Sequence, residues 1–75
     1  MDIVSALHSI RARLARNVKA TRIQAGLTQE ELALRSGIAP SLLVEMEDGR
    51  GNPDFVVLAA LAKAVGREAF ELLDV

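Results

Sequence analysis

The sequence contains no cysteine, and this absence excludes several kinds of site. None of its 75 residues is Cys and only one, His8, is histidine. Without thiols there is no disulfide framework, no thiolate metal site and no cysteine nucleophile. A chain without disulfides fits a cytoplasmic protein, and we expect that location.

Aromatic residues and long apolar runs are also scarce. Phe55 and Phe70 are the only aromatic residues, and Ala, Leu, Val and Ile dominate the apolar half of the chain. No run of 18 apolar residues occurs, and Asp2 stands where a signal peptide would carry basic residues, so we expect no membrane span and no signal peptide. A chain of 75 residues allows one domain with a modest core, which favours association.

The charge is nearly balanced but unevenly distributed. The formal net charge is −1, which argues against a strongly basic nucleic-acid binder. Residues 1–25 contain five basic residues and one acidic residue, whereas residues 26–75 contain four basic and nine acidic residues. Such polarity favours a basic face on a slightly acidic molecule. The ordinary alternative is that these charges are solvated faces of surface helices.

The stretch 27–49, LTQEELALRSGIAPSLLVEMEDG, predicts two short helices joined by a tight turn. Thr28 and Glu31 have the spacing of a capping box, in which the hydroxyl and the carboxylate each accept a backbone N–H. Gly37 suits the left-handed residue that ends a helix. Pro40 suits the first turn of the next helix, where a missing N–H costs nothing. The pattern is that of a helix-turn-helix.

The remaining segments are also helical in pattern. Apolar residues recur every three or four positions near the N-terminus, namely Ile3, Leu7, Ile10, Leu14 and Val18. This first helix is either unbroken or broken near His8 and Ser9, which would make the first part a separate arm. Asp54 suits the cap of a fourth helix, and residues 67–73 read as a short fifth. We therefore predict a compact all-α fold of five helices, with residues 1–13 as an N-terminal helical extension or arm and residues 14–75 as the helix-turn-helix domain.

Residues 14–73 resemble the phage-repressor and Cro (Xre) family of helix-turn-helix regulators. The segments that carry the resemblance are V-K-A-T-R at 18–22, G-L-T-Q-E-E-L-A at 26–33, S-G-I at 36–38, M-E-D-G at 46–49, N-P at 52–53 and L-A-K-A-V-G at 61–66. The resemblance implies a lambda-repressor-like domain whose second motif helix lies in the DNA major groove. It also implies a homodimer that reads two half-sites about one helical turn apart.

The resemblance assigns expected roles to individual residues. Those expected to bind DNA phosphate are Thr28, Gln29, Arg50 and Asn52. The base-reading positions are Ala39, Pro40, Ser41, Val44 and Glu45. Arg22 and Glu47 match a structural ion pair, and the core positions are Leu32, Ala33, Ile38, Leu43, Met46, Leu58 and Leu61. For Asn52, turn formation alone is an equally good explanation.

The second motif helix departs from the family pattern. Of its base-reading positions, only Ser41 and Glu45 carry side chains that hydrogen-bond to base edges, and neither provides a fork for guanine. Two hypotheses follow. The first is a sequence-specific DNA-binding transcriptional regulator, a repressor or autoregulator that binds a palindromic operator as a dimer. The alternative is a scaffold for protein–protein recognition, such as an antitoxin or partner-binding subunit, which would dock through exposed apolar residues.

Two terminal regions are candidates for the dimer interface. The last helix offers Phe70, Leu72 and Leu73, which we expect to form the main contact, and the N-terminal segment adds Ile3 and Leu7. The alternative is that one of these regions covers the domain's own core. We recognise no set of nucleophile, base and orienting residue, so we expect no enzymatic activity, cofactor or bound metal.

Overall fold

The computed structural model describes residues 2–73, except for the side chains of residues 69 and 70. The described chain forms α1 (Ile3–Gln24), α2 (Gln29–Ser36), α3 (Pro40–Glu47), α4 (Phe55–Val65) and α5 (Ala69–Leu72). The predicted all-α fold is confirmed for this part of the chain. Because α5 is a single turn of four residues, four helices carry the architecture.

Helix α1 runs unbroken through 22 residues. Asp2 caps it, since its side chain accepts a hydrogen bond of 2.7 Å from the Ser5 N–H. No break occurs at His8 and Ser9, because the segment contains no proline or glycine to interrupt the helix. At 1.5 Å per residue α1 is about 33 Å long, which nearly equals the longest extent of the molecule, 36 Å. None of the described helices has the length and hydropathy needed to cross a membrane.

The start of α2 and the turn that follows it form as the local sequence predicts. The Glu31 N–H donates to the Thr28 hydroxyl at 3.1 Å, and the Thr28 N–H donates to the Glu31 carboxylate at 2.9 Å. The capping box is therefore confirmed. Gly37 has φ of 72° and lets the chain turn, so that the Ile38 N–H reaches the Ala33 carbonyl at 3.1 Å.

One hydrophobic core joins the helices. Helix α4 packs on α2, α3 packs on α1 and α2, and α5 packs on α1 and α4. The predicted core residues are confirmed, with Ile38 partly buried at the edge and the other six fully buried. The same core also contains Leu14, Val18, Leu27, Ala62 and Leu72. These contacts set the position of α3 against the end of α1.

The expectation that Leu72 lies at a dimer interface is wrong. Its side chain is only 1% exposed and belongs to the core of its own chain. The Asn17 side-chain N–H also donates to the Leu72 carbonyl at 2.9 Å, which fastens α5 to α1. Leu72 of the last helix therefore belongs to the domain's own core, as the alternative interpretation proposed for one of the two terminal regions.

Candidate nucleic-acid interface

An ion pair ties the end of α1 to the end of α3. The guanidinium of Arg22 donates to the carboxylate of Glu47 from Nε at 2.7 Å and from Nη2 at 2.9 Å. A further donation from Arg22 Nη1 reaches the Leu27 carbonyl at 2.8 Å. Both charged side chains are largely buried, and the hydrogen bonds to Glu47 raise the pKa of Arg22. Arg22 thus fixes α1, the turn before α2 and the end of α3 together.

The same carboxylate orients Gln29 at the start of α2. Gln29 Nε2 donates to Glu47 Oε1 at 3.2 Å. A carboxylate only accepts hydrogen bonds, so the amide nitrogen of Gln29 must face it. An amide nitrogen carries two hydrogens, and the second one remains available for an acceptor from outside the chain. The start of α2 and the end of α3 are therefore held in one arrangement.

The predicted base-reading residues lie on an accessible side of α3. All five, namely Ala39, Pro40, Ser41, Val44 and Glu45, are exposed. Ala39 makes no side-chain cap and Pro40 lies at the start of the helix. The hydroxyl of Ser41 and the carboxylate of Glu45 are the polar groups of this side, and Val44 and Ala39 supply apolar surface. The side is thus open to a ligand, with modest hydrogen-bonding chemistry.

Two of the three acidic residues of α3 and its C-cap are paired. Glu47 is bound to Arg22, and Asp48 accepts from Arg50 Nη2 at 3.2 Å. Among the described residues, no ion pair involves Glu45. The Asp48–Arg50 pair is exposed, so it is weak and Arg50 can exchange its partner for another anion. The negative charge of this side is therefore smaller than the sequence suggests.

The loop between α3 and α4 carries Asn52 and is fastened from two directions. The Arg50 N–H donates to the Glu45 carbonyl at 2.8 Å. From α1, Arg11 Nε donates to the Gly51 carbonyl at 3.0 Å, and Arg11 Nη2 donates to Asn52 Oδ1. No local sequence pattern indicates this role of Arg11, because its partners lie 40 and 41 positions further along the chain. Thr28, by contrast, sits in its predicted place with its hydroxyl engaged in the cap of α2.

The remaining residues assigned to dimerisation lie at different depths. Ile3 is 78% exposed and Leu7 is 41% exposed. Leu73 is partly buried and packs against the core. The side chain of Phe70 lies outside the described residues. Leu7 and Leu73 line an open apolar groove together with Ile10 and Phe55.

Comparison with known proteins shows which family has these features. A family model described as helix-turn-helix matches residues 18–72. An uncharacterised helix-turn-helix-type transcriptional regulator of Methanothermobacter thermautotrophicus is 39% identical over 54 residues, which cover 72% of this chain and 78% of that protein. A second uncharacterised regulator of this type, y4dJ of Sinorhizobium fredii, is 39% identical over 64 residues, covering 85% and 83% of the two chains.

Solved structures agree with this assignment. A hypothetical transcription factor from Neisseria superposes with a TM-score of 0.83 at 34% identity, over 87% of this chain and 75% of that one. The restriction-modification controller protein C.AhdI from Aeromonas hydrophila superposes with a TM-score of 0.79 at 32% identity, over 83% and 94% of the two chains. The chain therefore belongs to the family of helix-turn-helix transcriptional regulators.

Proposed function

We propose that this chain is a cytoplasmic, sequence-specific DNA-binding regulator that acts as a repressor or autoregulator at a palindromic operator. The observation that carries the proposal is the arrangement around α3. An exposed helix side is flanked by Gln29 on one side and by Arg50 and Asn52 on the other. In this family such a helix enters the major groove while its flanks touch the backbone.

The flanking groups suit phosphate, which only accepts hydrogen bonds. Gln29 has an amide hydrogen to offer, and Arg50 has a guanidinium that is held by Asp48 alone among the described residues. The capping box uses the N–H groups of Thr28 and Glu31, so the first N–H groups of α2 remain for an anion. Thr28 acts here by shaping this helix start. Few phosphate contacts result, and we expect a shallow dependence of affinity on salt.

The exposed side of α3 offers limited direct reading of bases. Glu45 accepts from cytosine N4, Ser41 bonds to several base edges, and Ala39 and Val44 contact thymine methyl groups. Pro40 adds apolar contact at the helix start. With so few polar groups, part of the specificity must come from the shape and flexibility of the DNA.

A second copy of the chain accounts for the exposed apolar residues of α1. Ile3 and Leu7 lie on the same side of the helix and remain 78% and 41% exposed beside the described part of the chain. Leu73 and the groove beside Leu7 extend this surface. A two-fold dimer buries the same surface on both copies and presents two α3 helices to a palindrome.

Selection of bound duplexes from random DNA tests the proposed function. We expect a palindromic consensus with half-sites about one helical turn apart. On that consensus, Gln29→Ala and Arg50→Ala should each weaken binding about tenfold, because each removes a donor to phosphate. Lys63 is an exposed basic residue of α4, and Lys63→Ala serves as the matched control, which should change binding less than about twofold. A wild-type protein that binds no duplex at low salt would refute the proposal and favour a protein partner.

Dimerisation has its own test. The melting temperature should rise with protein concentration, as expected when folding and association are coupled. Leu7→Ser should abolish that dependence, because it removes apolar surface from the contact. A monomer mass at all concentrations, with a transition that does not depend on concentration, would contradict the dimer.

A further inference from the structure

We propose that Arg11 is a positioning residue that holds the loop between α3 and α4 and turns the amide nitrogen of Asn52 toward the DNA backbone. The proposal rests on the proposed function, since it concerns how that interface is prepared. Arg11 lies on α1, outside the residues matched by the family model. Its side chain donates hydrogen bonds to two consecutive residues of the loop, Gly51 and Asn52.

The Arg11 guanidinium, whose Nε and Nη2 both donate to the loop, decides which end of the Asn52 amide faces outward. A guanidinium has only donors, so the atom of Asn52 that meets Arg11 Nη2 must be the carbonyl oxygen Oδ1. The amide nitrogen then lies on the other branch, with its two hydrogens directed away from Arg11. Phosphate oxygens need such donors. Without Arg11 the amide would be free to present either end.

The second donor of the fork fixes the backbone beside Asn52. Arg11 Nε donates to the Gly51 carbonyl at 3.0 Å, where Gly51 has φ of 82°. On the other side of Gly51, the Arg50 N–H is bound to the Glu45 carbonyl at 2.8 Å. The loop is therefore anchored to α1 and to α3 at adjacent residues. Asn52 itself is exposed and is not held by burial in the core. The hydrogen bonds to Arg11 and Glu45 therefore set the position of its side chain.

The geometry separates this role from a direct phosphate contact. Arg11 donates two hydrogen bonds to the loop and its side chain is only partly exposed. Arg16, also on α1, is exposed. A residue that acts through Asn52 should matter for its fork shape as well as for its charge. Lysine keeps the charge but cannot bridge two acceptors in the plane of a guanidinium.

The first experiment compares affinities for the selected duplex. Arg11→Gln should weaken binding about tenfold and Arg11→Lys should recover little of it, because both lose the two hydrogen bonds. Arg16→Gln, the matched charge change on the same helix, should stay within about twofold. The slope of log affinity against log salt should be unchanged in Arg11→Gln, since a residue that touches no phosphate releases no counterion. Full recovery by lysine, or a slope reduced by about one, would overturn the proposal.

A double-mutant cycle tests whether Arg11 acts through Asn52. In the Asn52→Ala background, Arg11→Gln should weaken binding about threefold or less, because the oriented amide is already absent. The remaining effect reports the Gly51 contact. Equal effects of Arg11→Gln in both backgrounds would show that the two residues act independently and would refute the proposal.

Hydrogen exchange of the free protein separates this proposal from the proposed function. The Arg50 amide, which donates to the Glu45 carbonyl beside the Arg11 contacts, should exchange about tenfold faster in Arg11→Gln than in the wild type, with exchange in the core helices unchanged. Unchanged loop exchange overturns the anchoring whether or not DNA binds. Faster loop exchange in a protein that binds no duplex would support the anchor while the proposed function, and with it the role toward DNA, fails.

Discussion

The two halves of α1 have similar apolar patterns and opposite surroundings. Beyond residue 13 the helix buries Leu14, Ala15 and Val18, and in its last turn Arg22 forms a largely buried ion pair. In residues 3–13 the apolar side chains of Ile3, Val4 and Leu7 are exposed. The apolar spacing continues across both halves without a change. Helical periodicity therefore identifies an apolar side, but the elements that pack against it decide whether it is a core or a surface.

The largest expected effect comes from the end of the buried half. Glu47→Ala should lower the free energy of unfolding by about 3 kcal/mol, because it leaves the largely buried charge of Arg22 without its anionic partner. Urea unfolding at neutral pH measures the loss. Glu45→Ala, an exposed acid on the same helix, is the control and should change stability by no more than about 0.5 kcal/mol. Equal losses would mean that the ion pair does not hold the end of α1.

Two valines of α1 allow a matched test of the comparison. Val18 is 1% exposed and Val4 is 62% exposed. Val18→Ala should cost about 2 kcal/mol, because it removes core contacts and leaves a cavity, whereas Val4→Ala should cost about 0.5 kcal/mol or less. Urea unfolding of both variants at low concentration, where a dimer would dissociate, gives the difference. A large loss for Val4→Ala under those conditions would mean that the first half is covered within one chain.

The smallest effect concerns the cap of the exposed half. The Ser5 N–H, bound to the carboxylate of Asp2, lowers the pKa of Asp2 from its ordinary value of 3.8. A lowered pKa in the folded state means that the cap stabilises the helix start above about pH 3.8 and that this stabilisation is lost as the pH falls through the folded pKa. The amide shift of Ser5, followed by NMR, should show this titration. Asp2→Ala should abolish it, and a Ser5 shift that still titrates in this variant would assign the effect to another group.

Local features of the sequence were sufficient to predict the capping box of α2 and the turn between α2 and α3. Thr28, Glu31 and Gly37 act on neighbours within a few residues, so their spacing alone predicted the capping box and the turn. The core positions of α2, α3 and α4 followed from the family resemblance. These parts of the fold depend on short-range rules or on a pattern that spans most of the chain.

Other features depend on contacts that no local pattern encodes. Arg11 meets residues 40 positions away, and nothing in its neighbourhood distinguishes it from Arg13 or Arg16. Leu72 looked like spare apolar surface because the sequence does not show that α5 folds back onto α1. The pairing of Asp48 with Arg50 likewise depends on the course of the loop after α3. The charge of the candidate interface could therefore be judged only in three dimensions.

Because α1 is continuous, the number of its residues sets both the rotation and the distance of its N-terminal part relative to the core. Each residue added to a helix turns everything before it by about 100° and shifts it by about 1.5 Å. One alanine inserted after Ala12 would therefore swing Arg11 away from Gly51 and carry Leu7 around the axis, while the core from Leu14 onward stayed in place. Seven inserted residues would nearly restore the azimuth but move the N-terminal end outward by about 10 Å. In the proposed dimer, the number of residues in α1 thus helps to set the distance between the two α3 helices, and with it the length of operator that the protein can span.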